Sequence, residues 1–191
     1  MNWENALVAA HRELVETKNT REIGKIRAAA NEHLQQSWVD ENTKLDVRRR
    51  VELSEDSKLL EDHNESGWDM ICAHTQLRLQ SKYRGGKTAG WLHLEQTRRN
   101  SKKNQGKASA SGHVVYRDDE FDVLVVTRPV QFSMECYKED LIVMPVEALK
   151  DPKNPGYLYK VVPKKVWSVW QKKDPVAVLN DLFREALEAG K

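Results

Sequence analysis

The sequence predicts a mixed α/β fold, in which a central mixed β-sheet is flanked by helices. Two observations carry this prediction. Apolar residues recur at helical spacing near both ends of the chain, and between them several segments either alternate apolar with polar residues or are apolar throughout. The strand-like segments follow one another closely, so we expect them to share one sheet.

Two helices are predicted at the start of the chain. The first covers residues 3–17, and Asn19-Thr20 ends it. Thr20 is a suitable N-cap for the second helix, which runs to about Gln36. The apolar residues at helical spacing in this second helix are Ile23, Ile26, Ala30 and Leu34.

A further helix is predicted near the C-terminus, after a proline-rich connector that begins at about residue 150. Asp174 is suited to its N-cap and Pro175 to its first turn. The apolar residues expected to face the core are Val178, Leu179, Leu182, Phe183 and Leu187.

Strand-like patterns occur between these helices. The segments are 45–53, 67–73, 76–83, 91–97, 121–127 and 141–144. Those at 121–127 and 141–144 are almost wholly apolar, which is typical of a strand covered on both faces. Pro145 is expected to halt the last one.

Length and composition indicate one domain of 191 residues. Its core is expected at about 20–149, with an N-terminal helix in 1–19 and a C-terminal connector and helix in 150–191. Two cysteines do not make a disulfide framework, the start resembles no signal peptide, and no apolar run approaches the roughly 20 residues that span a bilayer. We expect an intracellular protein, cytoplasmic or nucleoid-associated, that is neither secreted nor bound to a membrane.

The candidate site lies on the segments 67–73 and 76–83. Alternation in the second segment puts Gln80 and Lys82 on one face, roughly 7 Å apart along the strand. A break at His74-Thr75 folds this strand back against the one that follows Asp69. We therefore expect a carboxylate, an amide oxygen and an ammonium group to converge on one spot.

This combination suits the hydrolysis of a phosphodiester with Mg²⁺, which polarises the phosphoryl oxygen and lowers the pKa of water. Mg²⁺ takes oxygen ligands. Asp69 offers a charged ligand, and the Gln80 side-chain carbonyl and the Ser81 backbone carbonyl offer neutral ones. Lys82 supplies a positive charge that offsets the negative charge developing on the phosphate.

These residues resemble the PD-(D/E)XK nuclease superfamily. Gly67-Trp68-Asp69-Met70-Ile71 is similar to its strand entering the active-site aspartate, and Leu77-Arg78-Leu79-Gln80-Ser81-Lys82 to its (D/E)-x-K strand, in the variant with glutamine. The resemblance covers roughly 67–149. It implies a restriction-endonuclease-like core, and the most similar subgroup contains small site-specific nucleases, including restriction enzymes and homing endonucleases.

The chain departs from the family pattern at two positions. Trp68 replaces the signature proline, and Gln80 replaces an acid, which removes a negative charge and should weaken metal binding. The family often adds a glutamate from the first core helix. This implies Glu32 or Glu22, and Glu32 is preferred because it lies nearer the helix end that would approach the sheet.

Ordinary structural roles are the alternative for each site residue. An aspartate after Gly-Trp is typical of a turn or cap, so Asp69 can be structural. Gln80 and Lys82 can belong to a solvated strand face.

Basic residues are expected to hold DNA. No acidic residue occurs between Arg98 and Arg117, and side chains there can contact phosphates and base edges. The residues of this predicted DNA surface are Arg84, Lys87, Arg98, Arg99, Asn100, Lys102, Lys103 and Lys107. A second basic region, in 157–173, interleaves lysines with tyrosines and tryptophans and is either a DNA clamp or the packing of the terminal helix.

The resulting hypothesis is a Mg²⁺-dependent, sequence-specific endonuclease that cuts double-stranded DNA in the manner of a type II restriction enzyme. A homodimer is expected, because cutting two strands takes two active sites. A homing endonuclease and a junction resolvase of the same fold are alternatives. Another is a non-catalytic DNA-binding subunit, which the glutamine at position 80 favours.

Overall fold

The computed structural model describes residues 16, 20–49, 67–83, 92–97, 113–127 and 141–190. The helices in this part of the chain are α1 (Thr20–Asn42), α2 (Lys164–Trp170) and α3 (Pro175–Glu188). The strands are β1 (Val47–Arg49), β2 (Met70–Cys72), β3 (Arg78–Tyr83), β4 (Leu92–His93), β5 (Glu95–Thr97), β6 (His113–Val115), β7 (Val123–Thr127), β8 (Ile142–Pro145) and β9 (Val161–Val162).

A five-stranded mixed sheet is the centre of the described part, which confirms the mixed α/β prediction. Its strand order is β1-β2-β3-β7-β8. β3 pairs with β7 in parallel, and the other neighbours are antiparallel. Two smaller antiparallel pairs, β4 with β9 and β5 with β6, lie outside this sheet. The expectation that all the strand-like segments share one sheet is therefore wrong for the segment at 91–97.

Apolar side chains cover both faces of the main sheet. The first face packs against α1 and α3, and its buried residues include Met70, Leu79, Val125, Leu34, Trp38 and Leu179. The second face packs against the β4–β9 pair and α2, and its buried residues include Leu124, Met144, Leu92, Tyr116, Val162 and Trp167. All five residues of β7 are buried, which confirms the prediction of a doubly covered central strand.

Alternation in 76–83 predicts a strand with one buried face, and this prediction is wrong for β3. Leu79 is fully buried as expected, but Gln80 on the other face is only 4% exposed. The layer formed by the β4–β9 pair and α2 covers this second face. β3 also begins at Arg78 rather than at residue 76, because Gln76 has a φ of 57° and leaves the extended conformation.

An ion pair fixes the start of the parallel pairing between β3 and β7. The Arg78 guanidinium contacts both carboxylate oxygens of Asp122, at 3.0 and 3.2 Å. The Arg78 backbone N–H donates to the same carboxylate at 2.9 Å. This bidentate contact holds the strands in register where the pairing begins.

Helix α1 continues past the predicted end at about Gln36, because Trp38 and Val39 are buried in the first face. Both the backbone N–H and the hydroxyl of Thr43 donate to the Val39 carbonyl, at 2.9 and 2.6 Å. These bonds satisfy a carbonyl that the end of the helix leaves without a partner.

The C-terminal helix agrees with the sequence at its start and differs at its end. Asp174 accepts a hydrogen bond from the Val176 N–H at 3.0 Å, as an N-cap does. Leu187, predicted to face the core, is 51% exposed, and Ala186 is buried instead. Helix α2, within the connector, was not predicted from the sequence.

Several predicted features lie outside the described residues. They are the helix at 3–17, the end of the strand in 45–53, and the segments 84–91 and 98–112. Within the described part, no helix has the length and apolar character needed to cross a membrane.

We expect Leu79→Ala to lower the free energy of unfolding by roughly 2–5 kcal/mol, because it opens a cavity in a closely packed core. Urea denaturation measures the effect. Leu187→Ala is the matched control, since a leucine that is 51% exposed should change stability by less than about 0.5 kcal/mol. Equal effects of the two substitutions would contradict the described packing of β3.

Candidate active site

Strand pairing brings Asp69 opposite Gln80. Met70 pairs with Leu79 in the antiparallel ladder, and the Asp69 N–H donates to the Leu79 carbonyl at 2.9 Å. Asp69 therefore stands one position along, across from Gln80. Facing residues in a ladder project to the same side of a sheet, so the expected convergence of these two side chains occurs.

The chain just before Asp69 has little room. A Cβ built on Gly67 would lie 2.5 Å from the Cβ of Glu120. Only glycine fits there without a shift of the neighbouring turn. The close approach fixes the backbone two residues before the carboxylate.

The Asp69 carboxylate is held from two directions. Its Oδ2 accepts from the Ser81 backbone N–H at 2.9 Å and from the Gln80 side-chain amide. The same Gln80 Nε2 donates to the Ser81 carbonyl at 2.9 Å. One amide nitrogen therefore lies between a carboxylate oxygen and a backbone carbonyl oxygen, both of which were predicted as metal ligands.

This arrangement fits an oxygen-ligated cation. The two oxygens already converge on a group that carries partial positive charge, and a half-turn of the Gln80 amide would present its Oε1 to the same point. A hard cation such as Mg²⁺ prefers such ligands and keeps several waters. Among the residues that the structure describes, no three His, Cys, Asp or Glu side chains are placed to hold a metal ion together, so such a site would depend on neutral oxygens.

Lys82 lies beyond Gln80 on the same face of β3. Its ammonium nitrogen is 4.8 Å from the centre of the Tyr116 ring, a cation–π contact. Burial lowers the pKa of the Lys82 amine, and the carboxylates of Asp69 and Glu32 partly oppose this by favouring the charged form. The predicted ammonium thus lies within electrostatic reach of Asp69.

The two candidate glutamates on α1 differ in what the structure describes. Glu32 lies near enough to Lys82 for its carboxylate to favour the charged form of the amine. Glu22 belongs to the same helix, but its side chain lies outside the description. The predicted DNA-contacting residues of 84–87 and 98–107 also fall outside the described residues.

A buried polar network behind the site was not predicted from the sequence. The Asn31 amide donates to the Ser81 hydroxyl at 2.7 Å, and the Thr127 hydroxyl donates to the Asn31 carbonyl oxygen. The Gln35 amide donates to Val125 O and Thr127 Oγ1, both at 3.2 Å. These bonds tie α1 to β3 and β7 on the first face of the sheet.

One sequence signal could have revealed this network. Asn31 and Gln35 are four residues apart, and with Leu34 and Trp38 they make a stripe at helical spacing. Polar residues within an apolar stripe face the core with their apolar neighbours, so this pattern indicates buried hydrogen bonds.

Comparison of the chain with protein-family models, with curated proteins and with solved structures found no match. The case for a function therefore depends on the geometry above.

The lowered pKa of Lys82 predicts a pH dependence of stability. Between that lowered pKa and the ordinary value of 10.5, the unfolded chain holds a proton that the folded chain has released, so stability rises with pH. Subtracting the free energy of unfolding of Lys82→Met from that of the wild type should give a difference that increases with pH across this window.

Urea denaturation at several pH values measures this difference. Lys172→Met, at an exposed position, is the matched control and should give no such trend. A difference for Lys82 that stays constant or falls as pH rises would show that burial does not disfavour its charge.

Proposed function

We propose that this protein is a Mg²⁺-dependent endonuclease that hydrolyses phosphodiester bonds in double-stranded DNA. One observation carries the proposal: Asp69 Oδ2 and the Ser81 carbonyl oxygen converge on the Gln80 amide, and Lys82 follows on the same face of β3. An acid, a neutral oxygen ligand and an amine are thus adjacent on paired strands.

The order of the elements supports a restriction-endonuclease-like core. Helix α1 precedes an antiparallel β1-β2-β3 arrangement that carries Asp69 and the Gln-x-Lys strand, and the apolar β7 lies next to β3. The strand that follows Asp69 and the Gln-x-Lys strand are the two elements on which the resemblance to PD-(D/E)XK nucleases rests. In the proposal, substrate reaches the site at the Lys82 end of β3, where the side chain is only partly buried.

Asp69, Gln80 and the Ser81 carbonyl would hold Mg²⁺, which when bound supplies Lewis acidity toward a phosphoryl oxygen and a more acidic water. The chain's own groups position the reaction. The Ser81 N–H holds the Asp69 carboxylate in place at 2.9 Å. The charged form of Lys82 offsets negative charge on the phosphate, and its lowered pKa brings the amine nearer to the range in which it can accept a proton from water.

Cutting both strands of a duplex needs two copies of this site. We therefore propose a homodimer whose two-fold axis matches a palindromic DNA target, in the manner of a type II restriction enzyme. A long asymmetric target would instead indicate a homing endonuclease, and a preference for branched DNA a junction resolvase. Sequencing the ends left after digestion of a complex DNA distinguishes these three.

We expect the wild-type protein to cut plasmid DNA with Mg²⁺ and not with EDTA. Asp69→Asn and Lys82→Ala should each lower the cleavage rate by about 100-fold or more, since each removes a charge at the reacting phosphate. A gel-based time course with purified protein measures the rates.

Asp181→Asn and Lys44→Ala are the matched controls, because both residues are exposed. Asp181 belongs to α3, which packs on the first face, and Lys44 lies between α1 and β1. They should cut at the wild-type rate. Cleavage that survives in Asp69→Asn or Lys82→Ala would remove the proposed site.

One observation favours a second candidate function, a non-catalytic DNA-binding subunit. The Gln80 amide already satisfies Asp69 Oδ2 and the Ser81 carbonyl without any cation, so the fold does not require metal there. Tight duplex binding in EDTA, with no cleavage in any divalent metal, would support this candidate over the nuclease.

Gln80→Glu tests the metal site independently of cleavage. A second carboxylate should tighten Mn²⁺ binding by roughly tenfold or more, because the number of charged ligands tunes the affinity of oxygen sites. Titration calorimetry with Mn²⁺ measures it. Gln36→Glu is the matched control, because Gln36 is a partly buried glutamine on α1, away from the proposed ligands. It makes the same chemical change and should leave Mn²⁺ affinity unchanged. Equal gains in both variants would place the cation elsewhere.

A further inference from the structure

A stretch of unmixed positive charge lies in the C-terminal connector and α2. Between Asp151 and Asp174 the chain has no acidic residue and six lysines, a formal charge of +6 in 22 residues. The following residues 174–190 hold four acids and one arginine, or −3. The lysines are Lys153, Lys160, Lys164, Lys165, Lys172 and Lys173, and all six are exposed.

The backbone that carries these lysines is anchored. The Leu158 N–H donates to the Tyr116 carbonyl, and the Leu94 N–H donates to the Lys160 carbonyl, both at 2.9 Å. Val162 and Trp167 are buried in the core of the second face. The ammonium groups therefore extend from a fixed support, which lowers the entropy lost when they bind a partner.

This basic stretch adjoins the candidate site. Tyr116 links the two, since its ring faces the Lys82 ammonium and its carbonyl accepts from Leu158. β9 within the stretch pairs with β4, and the chain continues from β4 into β5, after which the predicted DNA loop begins. The elements that carry these lysines thus pack on the same side of the main sheet as Gln80 and Lys82.

We infer that Lys160, Lys164, Lys165, Lys172 and Lys173, termed here the lysine surface, bind the phosphate backbone of the duplex DNA whose phosphodiester enters the site. The inference rests on the proposed action on DNA, but not on the hydrolytic step. Of the two roles considered for this basic region, a DNA clamp and the packing of the terminal helix, the inference favours the clamp. Trp167 is buried in the packing, whereas the lysines are exposed.

The chemistry of the surface favours nucleic acid over a lipid membrane. Within the described residues of this stretch, the exposed large hydrophobic side chain is Val169, at 54%, and a single valine gives little apolar area to insert into lipid. Lysine ammonium groups are compact point charges that suit phosphate oxygens. Lys173 also lies 3.6 Å from the centre of the Trp170 ring, which holds this cation at the surface.

The test measures DNA binding in EDTA, where no hydrolysis occurs. Fluorescence anisotropy of a labelled duplex of about 30 base pairs is recorded from about 50 to 200 mM NaCl. The variants are Lys164→Gln/Lys165→Gln and Lys172→Gln/Lys173→Gln. The control, Lys44→Gln/Arg184→Gln, also removes two exposed positive charges but lies with the elements of the first face.

The slope of log affinity against log salt is negative, and each lysine-surface variant should reduce its magnitude by about 1.8, since each phosphate contact contributes about 0.9. The control should keep the wild-type slope. Wild-type slopes in both lysine-surface variants, no duplex binding by the wild-type protein, or tighter binding to phosphatidylserine vesicles than to DNA would each overturn the inference.

The result is separable from the proposed hydrolysis. If Asp69→Asn abolishes cutting while the lysine variants bind as wild type does, the lysine surface is wrong and the nuclease stands. If the slopes change as expected but nothing is cut, the lysine surface stands and the nuclease is wrong.

Discussion

The register between β2 and β3 is the constraint on which the candidate site depends. Met70 and Leu79 face each other within the buried first face, and this places Asp69 across from Gln80 on the second. Because side chains alternate along a strand, a slip of one residue would send Asp69 to the opposite face from Gln80 and Lys82. The same slip would take Met70 out of the apolar cluster of the first face, so hydrophobic packing on one face enforces the polar geometry on the other.

Several polar side chains near this register are buried, and their burial costs free energy unless they are hydrogen-bonded. Gln80 is almost fully buried, and a buried amide is tolerated when it is hydrogen-bonded, as it is here to Asp69 and Ser81. Gln35, also buried, leaves its side-chain Oε1 without a partner among the described residues, which costs free energy. Replacing both partners of such a hydrogen bond by apolar groups of the same shape can be nearly neutral or stabilising. These bonds therefore contribute more clearly to the position of Ser81 and Lys82 than to stability.

Local patterns in the sequence predicted local structure, and the errors arose from contacts between distant segments. Alternation of apolar and polar residues located β3 and put Gln80 and Lys82 on the same face. Asp174 and the proline that follows it were enough to predict the start of the C-terminal helix. Burial of Gln80 was not visible, because the covering layer comes from residues far along the chain. The length of α1 was likewise set by the contacts of Trp38 and Val39 with the sheet. The apolar spacing within the helix up to Gln36 does not indicate these contacts. Asn31 and Gln35 were missed since their partners lie 50 to 92 positions away.

Glutamine at position 80 makes the net charge of the candidate site more positive than glutamate would, which gives the site, when a divalent cation is bound, the same sign of charge as the lysine surface. Asp69 and Glu32 contribute two negative charges around a protonated Lys82, so the group has a net charge of −1, and in the proposed reaction a divalent cation would make it +1. With glutamate at position 80 the same group would be neutral. A site of net +1 attracts a phosphodiester, and the six exposed lysines of residues 152–173 extend that positive potential outward. Under the proposed function, glutamine at position 80 thus lowers the affinity of the site for the cation and raises its electrostatic attraction for the DNA that the lysines hold.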